Sequence, residues 1–157
     1  MVTLADIEAA RARIAGGVYL SPCVESIPLS RLTGARIFCK LDYLQRTGSF
    51  KERGARNALL LLTPEQRKRG VIAASAGNHA QGIAYHASLL GIPTTVVMPK
   101  FAALVKVTNC RHFGANVILH GADLTEARAH AGEIAGRDAL TFIHPFDNEH
   151  VLSLIHI

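Results

Sequence analysis

The sequence contains no uninterrupted apolar run near the ~20 residues that a helix needs to cross a bilayer. Its N-terminus carries Asp6 and Glu8 within a helical pattern, where a secretory leader would have positive charge followed by an apolar block. Both absences predict a cytoplasmic protein with no membrane partner. Cysteine is scarce: Cys23, Cys39 and Cys110 are odd in number and widely spaced, which argues against a disulfide framework and gives no zinc-ligand spacing. The thiols are expected to be reduced and mostly buried, and no metal is expected. No aromatic residues interleave with the one tight basic run, Arg67-Lys68-Arg69. The net charge of +5 therefore lacks the stacking surface of a nucleic-acid binder, and no nucleic-acid partner is expected. The run suits a helix C-terminus, and the surplus charge suits small anionic substrates. What the chain does have, in 157 residues that are 49% hydrophobic and 18% charged, is the makeup of a globular domain with a real core.

The apolar pattern is repetitive. Thr3-Leu4-Ala5-Asp6 resembles a capping box opening a helix that Gly16-Gly17 stops, and Pro22 begins an irregular approach. From Arg36 onward, strand-like runs at 37–41, 71–74, 95–98, 117–119 and 140–143 alternate with helical segments near 51–62, 78–90, 102–112 and 123–135. Thr63-Pro64 starts a short extra helix, and Gly91 and Gly114 sit where helices should stop. Short, fully apolar strands alternating with helices predict an α/β fold: an open parallel sheet with flanking helices and right-handed crossovers.

Two loops carry candidate chemistry. In Thr47-Gly48-Ser49-Phe50-Lys51-Glu52-Arg53-Gly54-Ala55 one lysine stands at a loop-to-helix junction. A lysine pressed against apolar groups and beside another cation loses its proton and becomes a nucleophile or Schiff-base partner; Phe50 and Arg53 are the expected sources of those two effects. The alternative is an exposed first helical turn. Ser75-Ala76-Gly77-Asn78-His79-Ala80-Gln81-Gly82 follows the 71–74 strand, which puts it at the C-terminal edge of the sheet, where such folds bind ligands. Its small residues and free amides suit a carboxylate or phosphate. It lacks both the GxGxxG and the GxxxxGK[ST] spacing, so nucleotide binding has little support. Asn78 is also readable as a plain N-cap, and His79 as an imidazole packed under the sheet. An imine-forming lysine on one loop and an anion cradle on the next together suit pyridoxal 5'-phosphate.

The paired loops resemble the signatures of fold type II pyridoxal-phosphate enzymes, specifically the threonine/serine dehydratase (threonine ammonia-lyase) branch. The resemblance extends from Ser21-Pro22 through Lys40-Leu41-Asp42, Met98-Pro99-Lys100 and His144-Pro145-Phe146-Asp147 to Asn148. It implies that Lys51 is the Schiff-base lysine and α-proton base, that Phe50 lies against the cofactor ring and that Asn78 bonds the ring oxygen. Ser75, Ala76, Gly77, Asn78 and His79 would hold the carboxylate of an amino-acid substrate. The implied reaction is β-elimination of L-threonine or L-serine to a 2-oxo acid and ammonia. The implied setting is amino-acid metabolism, with isoleucine biosynthesis as the expected pathway, in a full-length parent that is a homo-oligomer. Serine racemases place a serine acid/base directly before the loop's glycine; here that residue is Ala76, so elimination is expected to dominate racemisation. Other readings left open are a non-catalytic α/β module binding a small anion or a partner, and another lyase, racemase or synthase on the same scaffold. Ala103 stands where relatives commonly have proline, a change the helix start should tolerate.

Family members run to roughly twice this length, beyond the soft prior of ~150 residues per domain. Their second half carries the glycine-rich phosphate loop and the residue facing the pyridine nitrogen. The expected division is 1–50 as the N-terminal part of a large cofactor domain, 51–147 as a small α/β domain and 148–157 as a truncated return. Within it, Leu152-Ser153-Leu154-Ile155-His156-Ile157 is read as a non-native tail, the in-frame translation of a library adapter.

Overall fold

The computed structural model describes residues 2–153. Helix α1 (Leu4–Ile14) opens with the expected capping box: the Thr3 amide donates to Asp6 Oδ2 at 2.8 Å and the Asp6 amide to Thr3 Oγ1 at 3.3 Å. Strand β1 (Cys23–Glu25), helix α2 (Ile27–Thr33), strand β2 (Phe38–Lys40) and a 3-10 turn at Asp42–Leu44 follow. Helix α3 (Lys51–Leu60), the short α4 (Pro64–Arg69), β3 (Val71–Ala74), α5 (Asn78–Leu89), β4 (Thr94–Met98), α6 (Leu104–His112), β5 (Asn116–Leu119), α7 (Leu124–Asp138), β6 (Thr141–Phe142) and α8 (Glu149–Leu152) complete the order.

Strands β5, β4, β3 and β6 form one parallel sheet in that spatial order. Both faces of its centre are covered, as the apolar runs require. Val71 and Ala73 pack against Ala55, Leu59, Ile83 and Ala87 of α3 and α5, and Val96 and Met98 against α5 and α6. On the other face Ile72, Ala74 and Val97 meet Ala127, Ala131 and Ile134 of α7. Thr63 caps α4 with Pro64 in its first turn, and Gly91 and Gly114 follow their helices with φ of 65° and 82°.

The 37–41 run is a correction. It forms β2, antiparallel to β1 in a separate two-stranded sheet. Residues 26–37 between the two strands contain only α2, and that short return folds the chain back on itself without a crossover over a sheet. Cys23 is exposed, Cys39 intermediate and only Cys110 buried, so the expectation of mostly buried thiols fails for the two on this ribbon. Burial raises the Cys110 thiol to about 11, which keeps it protonated. At the proposed tail, Leu152 closes α8 and Ser153 is buried; positions 154–157 lie outside the described residues. Among the described residues no helix is long and apolar enough to cross a membrane, and no group of three or more His, Cys, Asp or Glu is arranged to hold a metal.

The first fifty residues leave Leu20 79%, Leu32 82%, Phe38 51% and Tyr43 67% exposed, an apolar surface that favours association. Light scattering is expected to show this chain self-associating, with Leu32→Lys reducing it; an unchanged monodisperse monomer in both forms would refute this. Two helical glycines give a matched test of packing. A Cβ on Gly54 would lie 2.9 Å from the Val151 carbonyl oxygen, whereas one on exposed Gly132 meets nothing within 4 Å. Gly54→Ala is expected to destabilise by about 1–3 kcal/mol through overpacking against α8. Gly132→Ala should stabilise by roughly 0.5–1 kcal/mol, both read from urea midpoints.

Candidate active site

The strand order fixes where a site can form. Strand β3 has β4 and β5 on one side and β6 on the other, and the helices that follow β3 and β6 pack in one core on the same face, so the loops leaving these two strands lie side by side at the C-terminal edge, where open α/β sheets bind ligands. Ser75–Gly77 leaves β3 and His144–Asp147 leaves β6.

The lysine loop reaches this edge along α3. Gly48, with φ of 74°, turns the loop. Ser49 Oγ accepts the Lys51 backbone N–H at 3.1 Å, and the Thr47 amide donates to the Glu52 carboxylate. Lys51 is half-buried, its Nζ lying 5.2 Å from the Phe50 ring centroid. Nζ donates to the Pro145 carbonyl, 94 residues away in the chain, at 2.9 Å. Burial lowers the pKa of Lys51 below its ordinary value. Arg53 is not the source of that shift, contrary to expectation. Its side chain is directed to Asp42, which it meets at 2.7 Å in a nearly buried ion pair. Burial raises the Asp42 carboxyl, but the bonds from Arg53 and Ser21 outweigh it and hold the pKa low.

The second loop lies alongside. Ser75 Oγ accepts the Gly77 amide at 3.2 Å. Ser75 is buried, Ala76 and Gly77 are intermediate, and Asn78 is exposed. Asn78 is the first residue of α5; Gly77 holds the N-cap position without a side-chain bond, so the plain N-cap reading of Asn78 fails. Asn78 Oδ1 accepts from Lys106 Nζ at 2.9 Å, leaving Nδ2 as its available donor. His79 is 3% exposed and packs toward β6, with Nε2 bonded to the Ile143 carbonyl at 3.0 Å. A carbonyl can only accept, so Nε2 carries the proton and Nδ1 is a bare, buried acceptor with no partner among the described residues. Burial, then the charges of Lys51 and His144, lower its pKa to about 4 despite the Ile143 bond. It is a neutral imidazole at pH 7.

Sequence reasoning missed five participants. The Ile143 and Pro145 carbonyls carry no signal in their side chains. Lys106 arrives from α6. Glu52 and His86 are 1% and 0% exposed and face each other at 3.4 Å between α3 and α5. Burial raises the Glu52 carboxyl, but His86 and Thr47 more than offset it and its pKa is lowered.

A family profile described as pyridoxal-phosphate dependent enzyme matches residues 14–156. The chain belongs to this family. It is 47% identical over 153 residues to the L-threonine ammonia-lyase of Thermotoga maritima, covering 98% of this chain and 38% of that protein. It is 45% identical over 154 residues to the catabolic L-threonine dehydratase TdcB of Staphylococcus aureus, covering 98% of this chain and 44% of that protein. The crystal structure of serine racemase from Dictyostelium discoideum superposes with a TM-score of 0.90 at 34% identity, over 98% of this chain and 50% of that one. The chain thus spans half or less of the length of these relatives. Its residues suit the family cofactor: Lys51 offers a desolvated amine, Phe50 an aromatic face, Asn78 an amide donor, and His79 Nδ1 on the same loop is a buried polar atom without a partner among the described residues.

The His79 shift sets an acid limit. Its folded pKa of about 4 lies below the ordinary 6.5, so stability is complete above pH 6.5 and falls as the pH drops toward 4, by roughly 3 kcal/mol in all. Denaturant midpoints across that range should show this loss. His79→Gln, which keeps a donor for Ile143 and cannot titrate, should flatten it.

Proposed function

We propose that this chain carries the lysine loop and substrate loop of an enzyme that converts L-threonine or L-serine to a 2-oxo acid and ammonia. The observation that supports this best is the half-buried Lys51 amine, with its lowered pKa, held by the Pro145 carbonyl at the C-terminal edge of the sheet, from which the Ser75–His79 loop also leaves. In this reading Lys51 Nζ would hold the aldehyde of pyridoxal phosphate, the Phe50 ring would lie against the cofactor ring and Asn78 Nδ2 would bond its ring oxygen. When bound, the cofactor supplies an electron sink for the α-carbanion of the substrate.

This chain's residues bind and move protons. The Ser75–His79 segment offers backbone N–H groups at the start of a twelve-residue helix to the substrate carboxylate. His79, neutral and buried, anchors that segment to Ile143. Lys51 Nζ would accept the α-proton; its lowered pKa favours the free-base form this needs. The β-hydroxyl leaves as water, and hydrolysis of the resulting enamine returns a water molecule and yields the 2-oxo acid and ammonia. Ala76 presents a methyl group where racemisation needs a proton carrier on the opposite face, so we read the likeness to serine racemase as one of scaffold. The domain division at 50 and 147, a homo-oligomeric parent and a cytoplasmic location belong to the same proposal. The isoleucine-biosynthesis setting has less support, since one relative is named for a catabolic role.

Incubation with pyridoxal phosphate and borohydride, followed by peptide mapping, should yield a reduced pyridoxyl adduct at Lys51 that Lys51→Ala abolishes. No adduct, or one only on other lysines, would count against this reading. In a polypeptide of full family length, 2-oxo acid formation from L-serine should exceed D-serine formation. Dominant racemisation would refute the role given to Ala76.

A further inference from the structure

The segment leaving β6 is shaped by its own histidine. His144 Nδ1 accepts the backbone N–H of Asp147 at 2.8 Å and of Phe146 at 3.3 Å, folding 144–147 into a turn closed by an imidazole acceptor. Between them lies Pro145, buried, whose carbonyl accepts from Lys51 Nζ. Two residues before Pro145, the Ile143 carbonyl holds His79. Proline fixes its own φ and offers no amide donor, so the direction of its carbonyl depends on how the following residues are held, and His144 holds them.

We propose that His144 is a positioning residue for Lys51: its unprotonated Nδ1 gathers the Phe146 and Asp147 amides into the turn that aims the Pro145 carbonyl at Nζ, and protonation of His144 releases both. A protonated Nδ1 is a donor facing two donors, so the turn cannot survive it. The groups facing the ring from the surrounding elements set the balance. Arg128 on α7 opposes protonation and Asp147 favours it; His79 on α5 couples to His144, and Lys51 on α3 couples to His79. The Phe146 and Phe142 rings lie 4.6 and 6.2 Å from the imidazole centroid, and Arg128 sits 5.4 Å over Phe146. Burial, with Arg128, lowers the His144 pKa, which keeps the acceptor form present at neutral pH. The consequence for the proposed reaction is that Lys51 has a defined resting acceptor at neutral pH and loses it on acidification. This rests on the reading of Lys51 as the cofactor-holding amine, yet the coupling is a property of the chain without cofactor.

The test follows the side-chain 13Cε resonance of Lys51 in the whole 157-residue chain, assigned with Lys51→Arg, as pH falls from neutral. The wild type should show an acid-side step coinciding with titration of the His144 ring and with loss of amide exchange protection at Phe146 and Asp147. In His144→Asn, whose carbonyl oxygen can accept the same amides without titrating, that step should vanish while the neutral-pH resonance stays in place. In His144→Ala the neutral-pH resonance should already match the acid form of the wild type, and the alkaline titration of Lys51 should shift away from that of the wild type, since the Pro145 acceptor that stabilises its charged form is lost. A lysine profile identical in all three forms, or an acid step that persists in His144→Asn, overturns the proposal; a persisting step would belong to His79. A lowered melting temperature in the alanine variant with an unchanged lysine profile would mark a purely structural role and also overturns it. The borohydride experiment fails or succeeds separately, so loss of the cofactor reading and loss of this coupling are distinguishable.

Discussion

Gly82 has no side chain, and the backbone of Lys51 takes up the space one would need: a Cβ there would stand 3.3 Å from both the carbonyl carbon and the oxygen of Lys51, and 3.4 Å from Ala55. The rest of the site depends on this approach. It brings α5, one turn after it begins, against the first turn of α3, so that the lysine loop and the Ser75–Asn78 loop meet side by side. It also closes the space around Glu52 and His86, leaving two ionisable groups dry and facing each other. Such a pair is costly unless each member has a partner. Glu52 has one in the Thr47 amide, and through that bond the helix start holds the loop that precedes it.

The second constraint is the position of β6. Because it pairs with β3 on the side away from β4, its exit loop crosses the same edge, and two of its carbonyls are taken up by side chains from elsewhere: Ile143 by His79 and Pro145 by Lys51. Both contacts serve two purposes. They satisfy buried polar groups that would otherwise be costly, and they fix the imidazole and the amine that the proposed chemistry uses. The site is thus assembled from three segments, each anchored to another by main-chain atoms.

Much of this was legible in the chain. The alternation of apolar runs with helical segments located β3 to β6 to within a residue or two, most closely at β3, where burial on both faces requires an apolar residue at every position. The capping box at Thr3 and the helix start at Thr63-Pro64 were readable because their determinants are local. The 37–41 run misled because Ile37, Phe38, Cys39 and Leu41 make it apolar around a single lysine, and only its antiparallel partner at Cys23–Glu25 shows that it lies outside the parallel sheet. Arg53 misled for a related reason: its neighbour in sequence is Lys51, but its neighbour in space is Asp42.

The sequence alone determined the elements, the two loops and their chemical character, because turn residues, helix caps and side-chain functional groups act over a few residues. Tertiary structure decided which groups those loops meet. The acceptor for Lys51, the anchor of His79, the cation on Asn78 and the dry partner of Glu52 are all supplied by segments distant in the chain. Two of them are main-chain carbonyls, which every residue possesses and no sequence pattern can single out. Which carbonyl is used depends on strand order and on how closely two helices pack. A glycine allows that packing, but only the folded chain completes it.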